Sequence, residues 1–167
     1  MTEAQSLTEQ SLYQVSIEGT GLVFDIDEND TLLGGILRAR TGIPYECNAG
    51  GCGSCKYTLI EGEVIDDLDD SPGLRASDRR KNKHLACISH PRSHCTIQIK
   101  PDNHYIPKHL PPKFQETLQS IDKLTHDLWE FKFQSDQAAR FLPGQYGKLS
   151  NPEVIGPRSY SMCNTAN

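Results

Sequence analysis

Apolar and polar residues alternate over Tyr13, Val15 and Ile17, break at Gly19-Thr20-Gly21, and alternate again from Leu22 to Ile26. A period of two marks strands half-buried on one face, so residues 12–27 are expected to form a β-hairpin. The period then changes: Leu32, Leu33, Ile36 and Leu37 recur at helical spacing behind Asp30 and Thr31, either of which can cap a helix running to about Arg40. Gly34 and Gly35 weaken that helix, because glycine loses the most backbone freedom on ordering. Lys56 to Val64 reads as a strand, Ser77 to His84 as a short polar helix, and Thr96 to Lys100 as a strand carrying Ile97 and Ile99. Two strands, a helix, a loop, a third strand and a closing strand make an α+β arrangement of β-grasp type over residues 12–102. Residues 1–11 are polar and aperiodic and read as a disordered lead-in. Prolines 101, 107, 111 and 112 make residues 103–112 a stiff linker and a domain boundary. Strand patterns resume at Phe114–Ile121, Leu128–Phe133, Phe141–Tyr146 and Pro157–Ser161, with Trp129 read as a packing residue.

Charge narrows the function classes. The 167 residues carry 22 Asp and Glu against 17 Lys and Arg, a formal net charge of −5, which argues against general nucleic-acid binding. The charge is uneven: Glu61 to Asp70 is acidic and Arg79 to Lys83 basic. Each run is a solvated loop by default, or a docking surface for a charged redox partner. The N-terminus Met1–Ser6 is polar, and no apolar run approaches the roughly 18 residues a membrane span needs. A cytoplasmic, reducing location with free thiols is therefore expected.

The cysteines carry the chemistry. Cys47, Cys52 and Cys55 stand as C-x4-C-x2-C, and Cys87 follows after 31 residues, the spacing of a plant-type [2Fe-2S] cluster and so of a one-electron carrier. Gly50, Gly51 and Gly53 lie in the same loop, where backbone N–H groups must turn toward anionic sulfur. His84-Leu85-Ala86 is a short approach that delivers Cys87 as the fourth ligand. Zinc would call for a second two-cysteine knuckle or histidines at matched spacing, and the spacing does not suit disulfides. His84, His90, His94 and His104 gather around Cys87 in sequence, but the C-x-H pairing of a Rieske centre is absent, so they read as exposed or hydrogen-bonded. Cys95 and Cys163 read as spare thiols.

Residues 12 to about 102 resemble the plant-type ferredoxin domain. Pro44–Lys56 looks like the N-terminal domain of toluene and xylene monooxygenase reductases, and Leu59–Val64, Pro72-Gly73-Leu74, Arg79–Asn82 and Leu85–Cys87 follow in the same order. Phe141–Tyr146 and Pro157–Ser161 resemble the start of the flavin-binding barrel of the ferredoxin-NADP reductase superfamily. The resemblance implies a β-grasp domain followed by an incomplete antiparallel β-barrel over residues 113–167. It implies that Cys47 and Cys52 hold the iron nearer the surface. In the flavin part it gives Arg158 to a pyrophosphate, Tyr160 to stacking on the isoalloxazine and Ser161 to a flavin nitrogen, with no catalytic residue beyond these. The implied activity is electron transfer from NADH through FAD to the [2Fe-2S] cluster, and on to the oxygenase or hydroxylase component, or its ferredoxin, of a multicomponent monooxygenase in aromatic hydrocarbon catabolism. The alternatives are the reductase of an aromatic-ring dioxygenase, and a stand-alone ferredoxin-like carrier with a vestigial flavin domain. Reductases of this type continue further, and the chain shows no nicotinamide-binding glycine motif, so it is expected to be a shortened form of a parent that binds FAD. An open half barrel should be poorly stable alone and a doubtful holder of the flavin.

Overall fold

The computed structural model describes residues 11–113, 116–134, 140–150 and 158–162. Residues 1–10, Phe114, Pro157 and Cys163 lie outside them, and with them most of the lead-in, the start of two expected strands and one of the two spare thiols. The chain divides into two compact units, Met1–Pro111 and Pro112–Asn167.

In the first unit, β1 (Leu12–Ile17) and β2 (Leu22–Asp27) form the expected hairpin, registered from Leu12 opposite Asp27 to Ile17 opposite Leu22. Gly19 and Gly21 take positive φ in its turn. Helix α1 (Leu32–Arg38) follows, and the Thr31 hydroxyl accepts from the Gly34 amide at 3.1 Å as its cap. The helix stops short of Arg40, which sits in the left-handed region at φ 58°. Gly35 has a packing reason: a Cβ there would lie 2.7–2.9 Å from three side-chain atoms of Ile26, so helix and sheet approach closely at this point. The expected long strand is split. β3 (Lys56–Glu61) ends at Gly62, at φ 93°, and β4 (Val64–Asp66) turns away to pair with β6 (Ser89–Pro91), an element without a sequence pattern. The expected polar helix over Ser77–His84 is only α2 (Ala76–Arg79), because the chain reverses at Asn82, φ 53°, and Lys83–Leu85 pair with β3 as β5. β7 (Cys95–Gln98) runs parallel to β1 and antiparallel to β3, giving the sheet order β2-β1-β7-β3-β5. Val15, Ile17, Ile26, Leu32, Leu33, Ile36, Tyr57, Leu85 and Ile97 form its core. Each such side chain contributes about 1.5–3 kcal/mol when fully buried.

The proline-rich segment does not leave this unit at once. Asp102 donates its amide to the Gly42 carbonyl at 2.9 Å, a 3-10 turn follows at Asn103–Tyr105, and the Tyr105 ring lies 5.9 Å from that of Tyr45. Arg38 donates to the Pro111 carbonyl at 3.4 Å.

The second unit contains two antiparallel pairs, β8 (Thr117–Lys123) with β9 (Trp129–Gln134) and β10 (Tyr146–Leu149) with β11 (Arg158–Ser161). They are open sheets, with no closed barrel among the described residues. Phe141–Tyr146 is mostly a turn through Gly144, at φ 87°, rather than a strand. Leu118, Ile121, Phe131 and Phe133 are exposed. Trp129 is not a core residue: it is 50% exposed, with the Lys123 ammonium 5.3 Å from its ring centroid.

Candidate metal centre

The loop from Pro44 to Cys55 runs from the segment after α1 into β3, and its shape follows from its glycines. Gly50 and Gly53 take φ of 76° and 80°, in the left-handed region where a side chain is strained. A Cβ on Gly53 would also lie 2.7 Å from the Gly73 carbonyl oxygen, whereas nothing lies within 4 Å of one on Gly51. These turns aim amides at sulfur. Ala49 and Cys52 donate N–H to Cys47 Sγ at 3.5 and 3.4 Å, and Ser54 donates to Cys52 Sγ at 3.4 Å. A buttress lies behind the loop: Gly73 donates its amide to the Gly50 carbonyl at 3.0 Å, and the buried Ser71 hydroxyl donates to the same oxygen. Arg79 holds that buttress through the carbonyls of Asp69, at 2.7 Å, and Ser71, at 3.1 Å.

The fourth cysteine arrives from β5. Ala86 donates its amide to the Cys55 carbonyl at 3.0 Å and accepts at its own carbonyl from the Leu33 amide at 2.8 Å, so the first turn of α1 and the last loop residue clamp the segment before Cys87. Cys55 and Cys87 are 2% and 1% exposed, Cys47 is half-buried and Cys52 is exposed. The hydrogen bond with the Cys87 thiol lowers the Cys55 pKa, against the opposing effect of burial. Burial pushes Cys52 up, but hydrogen bonds with Ser54 and Cys47 outweigh it and bring that thiol down to about 6. Metals bind thiolates, so both shifts favour the ligand form.

By exposure the thiols divide into two pairs, Cys47 and Cys52 toward the surface and Cys55 and Cys87 in the core. Among the described residues no three His, Cys, Asp or Glu groups are drawn together for a single metal ion. Two thiolate pairs, one at the surface and one in the core, fit two bridged irons. The histidines have partners of their own: His84 with Asp66 at 2.8 Å, His90 with Asp67 at 3.1 Å, His94 accepting from the Gln14 amide at 2.9 Å, and His104 edge-on to Tyr105. Cys95 is buried in β7 and donates to the Ser93 and Glu63 carbonyls; burial raises its pKa. In the other unit Arg158, Tyr160 and Ser161 are exposed on β11, where alternation sets Arg158 and Tyr160 on one face and Ser161 on the other. The sequence reading missed the Ser71–Gly73 buttress and the seat of the 3-10 turn on Gly42. Pro72-Gly73, an ordinary turn dipeptide, was their one local signal.

Residues 15–92 match the family described as the 2Fe-2S iron-sulfur cluster binding domain. The ferredoxin–NAD(P)(+) reductase CarAd of Metapseudomonas resinovorans is 37% identical over 93% of this chain and 48% of its own length. The xylene/toluene monooxygenase electron transfer component XylA of Pseudomonas putida is 29% identical over 88% of this chain and 41% of its own. The solved ferredoxin reductase in carbazole 1,9a-dioxygenase superposes with a TM-score of 0.89 at 38% identity, over 95% of this chain and 50% of that one. The chain thus spans about half the length of these relatives.

Proposed function

With residues 15–92 a 2Fe-2S iron-sulfur cluster binding domain, we propose that the chain is the electron-delivering part of an NAD(P)H-dependent reductase serving an oxygenase, with Cys47, Cys52, Cys55 and Cys87 as the cluster ligands. When bound, such a centre takes up and releases one electron at a low potential, on the order of −400 mV. The residues shape that chemistry. Cys55 and Cys87, buried in the apolar core, would supply one pair of ligands, and Cys47 and Cys52, nearer the surface, the other, where a partner can approach. The amides of Ala49, Cys52 and Ser54 stabilise negative charge on the outer sulfurs. The observation that carries the reading is this division of four thiols into a buried and a surface pair on one amide-lined loop.

Arg158, Tyr160 and Ser161 are the flavin contacts in this reading, carried together on the exposed strand β11. The domain boundary falls in the proline-rich segment at 103–112, and the location is the cytoplasm. Donor and acceptor are NAD(P)H and the oxygenase or its ferredoxin. Both monooxygenase and dioxygenase systems appear among the relatives, and the 38% identity to the solved ferredoxin reductase in carbazole 1,9a-dioxygenase favours the second. A reductive titration tests the core of the proposal. One electron per chain should bleach the visible bands of the anaerobically reconstituted protein and produce a rhombic electron paramagnetic resonance signal. A two-electron change, or none, would refute it.

A further inference from the structure

Two open recesses of about 330 Å³ each share Lys56 as a common wall, and the first of them adjoins the exposed thiol of Cys52. The first runs from Cys52 and Gly53 past Arg75 to Asp78; the second runs along Lys56, Lys83 and Lys100. Strand register explains the alignment. Thr58 on β3 faces Lys83 on β5 and Gln98 on β7, and the antiparallel register sets Lys56, two residues before Thr58, level with Lys100, two residues past Gln98. Four cationic side chains therefore border the recesses against one carboxylate, Asp78, which Lys56 already engages at 2.7 Å. Glu18 reaches the far rim through Gln98 at 3.1 Å. Lys83, Lys100 and Arg75 have no carboxylate at ion-pair distance among the described residues, and Arg80 and Lys81 extend the exposed cationic surface beyond α2. Asp70, in the acidic stretch, is engaged by Arg79 at 3.3 Å. On a chain of net charge −5 these cations gather beside the surface cysteine pair.

We propose that the cationic face from Cys52 across Lys56 to Lys83 and Lys100 is the docking surface for an acidic protein partner, the electron acceptor. This rests on the ligand assignment above and deepens it by fixing the sign and position of the partner's surface. The cations run from Arg75 at the start of α2 through Lys56 on β3 and Lys83 on β5 to Lys100 just past β7 instead of converging on one point, so they match a surface bearing several carboxylates and not a single small anion. Complementary charge of this kind speeds encounter and orients it, and salt weakens it. In each productive encounter one electron leaves the reduced protein and reduces one ferric haem or ferric cluster of the acceptor, with no bond made or broken.

The experiment uses the full chain, reconstituted and reduced with dithionite, then freed of reductant. It is mixed in stopped flow with the ferric haem domain of an acidic b-type cytochrome, and separately with a basic c-type cytochrome, across a range of ionic strength. The second-order rate with the acidic cytochrome should fall tenfold or more between about 20 and 500 mM salt. Lys83→Glu/Lys100→Glu should lower the low-salt rate about tenfold and leave the high-salt rate and visible spectrum unchanged. The basic cytochrome should show the opposite salt dependence. Carbodiimide coupling, mapped by mass spectrometry, should join Lys83 or Lys100 to carboxylates of the acidic cytochrome. A rate that rises with salt, a double variant as fast as the parent, or cross-links placed elsewhere would overturn the proposal. So would millimolar phosphate blocking the cross-links where chloride of equal ionic strength does not, since that describes a small-anion site. Failure to acquire [2Fe-2S] absorption would instead refute the ligand assignment, and the cross-links would still report on the surface.

Discussion

Gly53 and Gly51 lie two residues apart in the ligand loop and answer differently to one methyl group. At Gly53 alanine meets both a φ of 80° and the Gly73 carbonyl at 2.7 Å, so Gly53→Ala should cost about 1–3 kcal/mol and reduce bound iron. At Gly51, with nothing within 4 Å and no positive φ, alanine should leave both unchanged. Thermal unfolding and iron content of the pair check this, and equal effects at the two sites would contradict the loop geometry. Among the thiols, Cys95 differs from the four proposed ligands. Burial holds its pKa up and its partners are carbonyls, so Cys95→Ala should keep the full metal content, whereas alanine at Cys55 or Cys87 should abolish it. The four proposed ligand positions come from spacing alone. The buttress could not, because Ser71 and Gly73 act through contacts with Gly50 about twenty residues away, and no local pattern encodes such a contact.

Elements show the same division between local and distant causes. The hairpin and α1 were legible because period-two and helical spacing are local, and of the two glycines that argued against α1, Gly35 is explained by a neighbour, Ile26, that sequence does not place. The Ser77–His84 helix was over-extended because its polar residues fit a helix locally, while pairing of Lys83–Leu85 with β3 prevailed. α2 is held in part by Asp78, whose hydrogen bond with Lys56, and then that with the Arg75 amide, hold its carboxyl below the ordinary carboxylate range. A lowered folded pKa contributes stability above the unfolded value and loses it as pH falls through the folded one. Asp78→Asn should therefore flatten the acid limb of a stability–pH curve, more at low salt than at high, and an unchanged limb would remove Asp78 from the account. The 3-10 turn at Asn103–Tyr105 seats on Gly42, where an added Cβ would collide with the backbone at Asp102, Tyr105 and Ile106. Gly42→Ala should cost about 1–3 kcal/mol and open residues 102–111 to limited proteolysis, which the parent resists. Proteolysis no faster than in the parent would contradict this seat.

At the scale of the whole molecule, two units of different character share one chain. The first encloses a continuous apolar core, whereas the second exposes Leu118, Ile121, Phe131 and Phe133 on open sheets. The resemblance to a flavin-binding barrel implied an incomplete barrel, yet Trp129 was read as packing, because alternation reports a strand face without saying whether anything covers it. Added FAD should bind this chain weakly, with little quenching of flavin fluorescence at micromolar protein, while the first unit acquires its metal regardless. The central claim is that four cysteines of that unit hold a binuclear iron-sulfur centre. Iron, acid-labile sulfide and zinc should be measured per chain after anaerobic reconstitution, alongside the visible spectrum. The account predicts about two irons and two sulfides with broad absorption, all lost in Cys87→Ala. A colourless protein holding one zinc would contradict it.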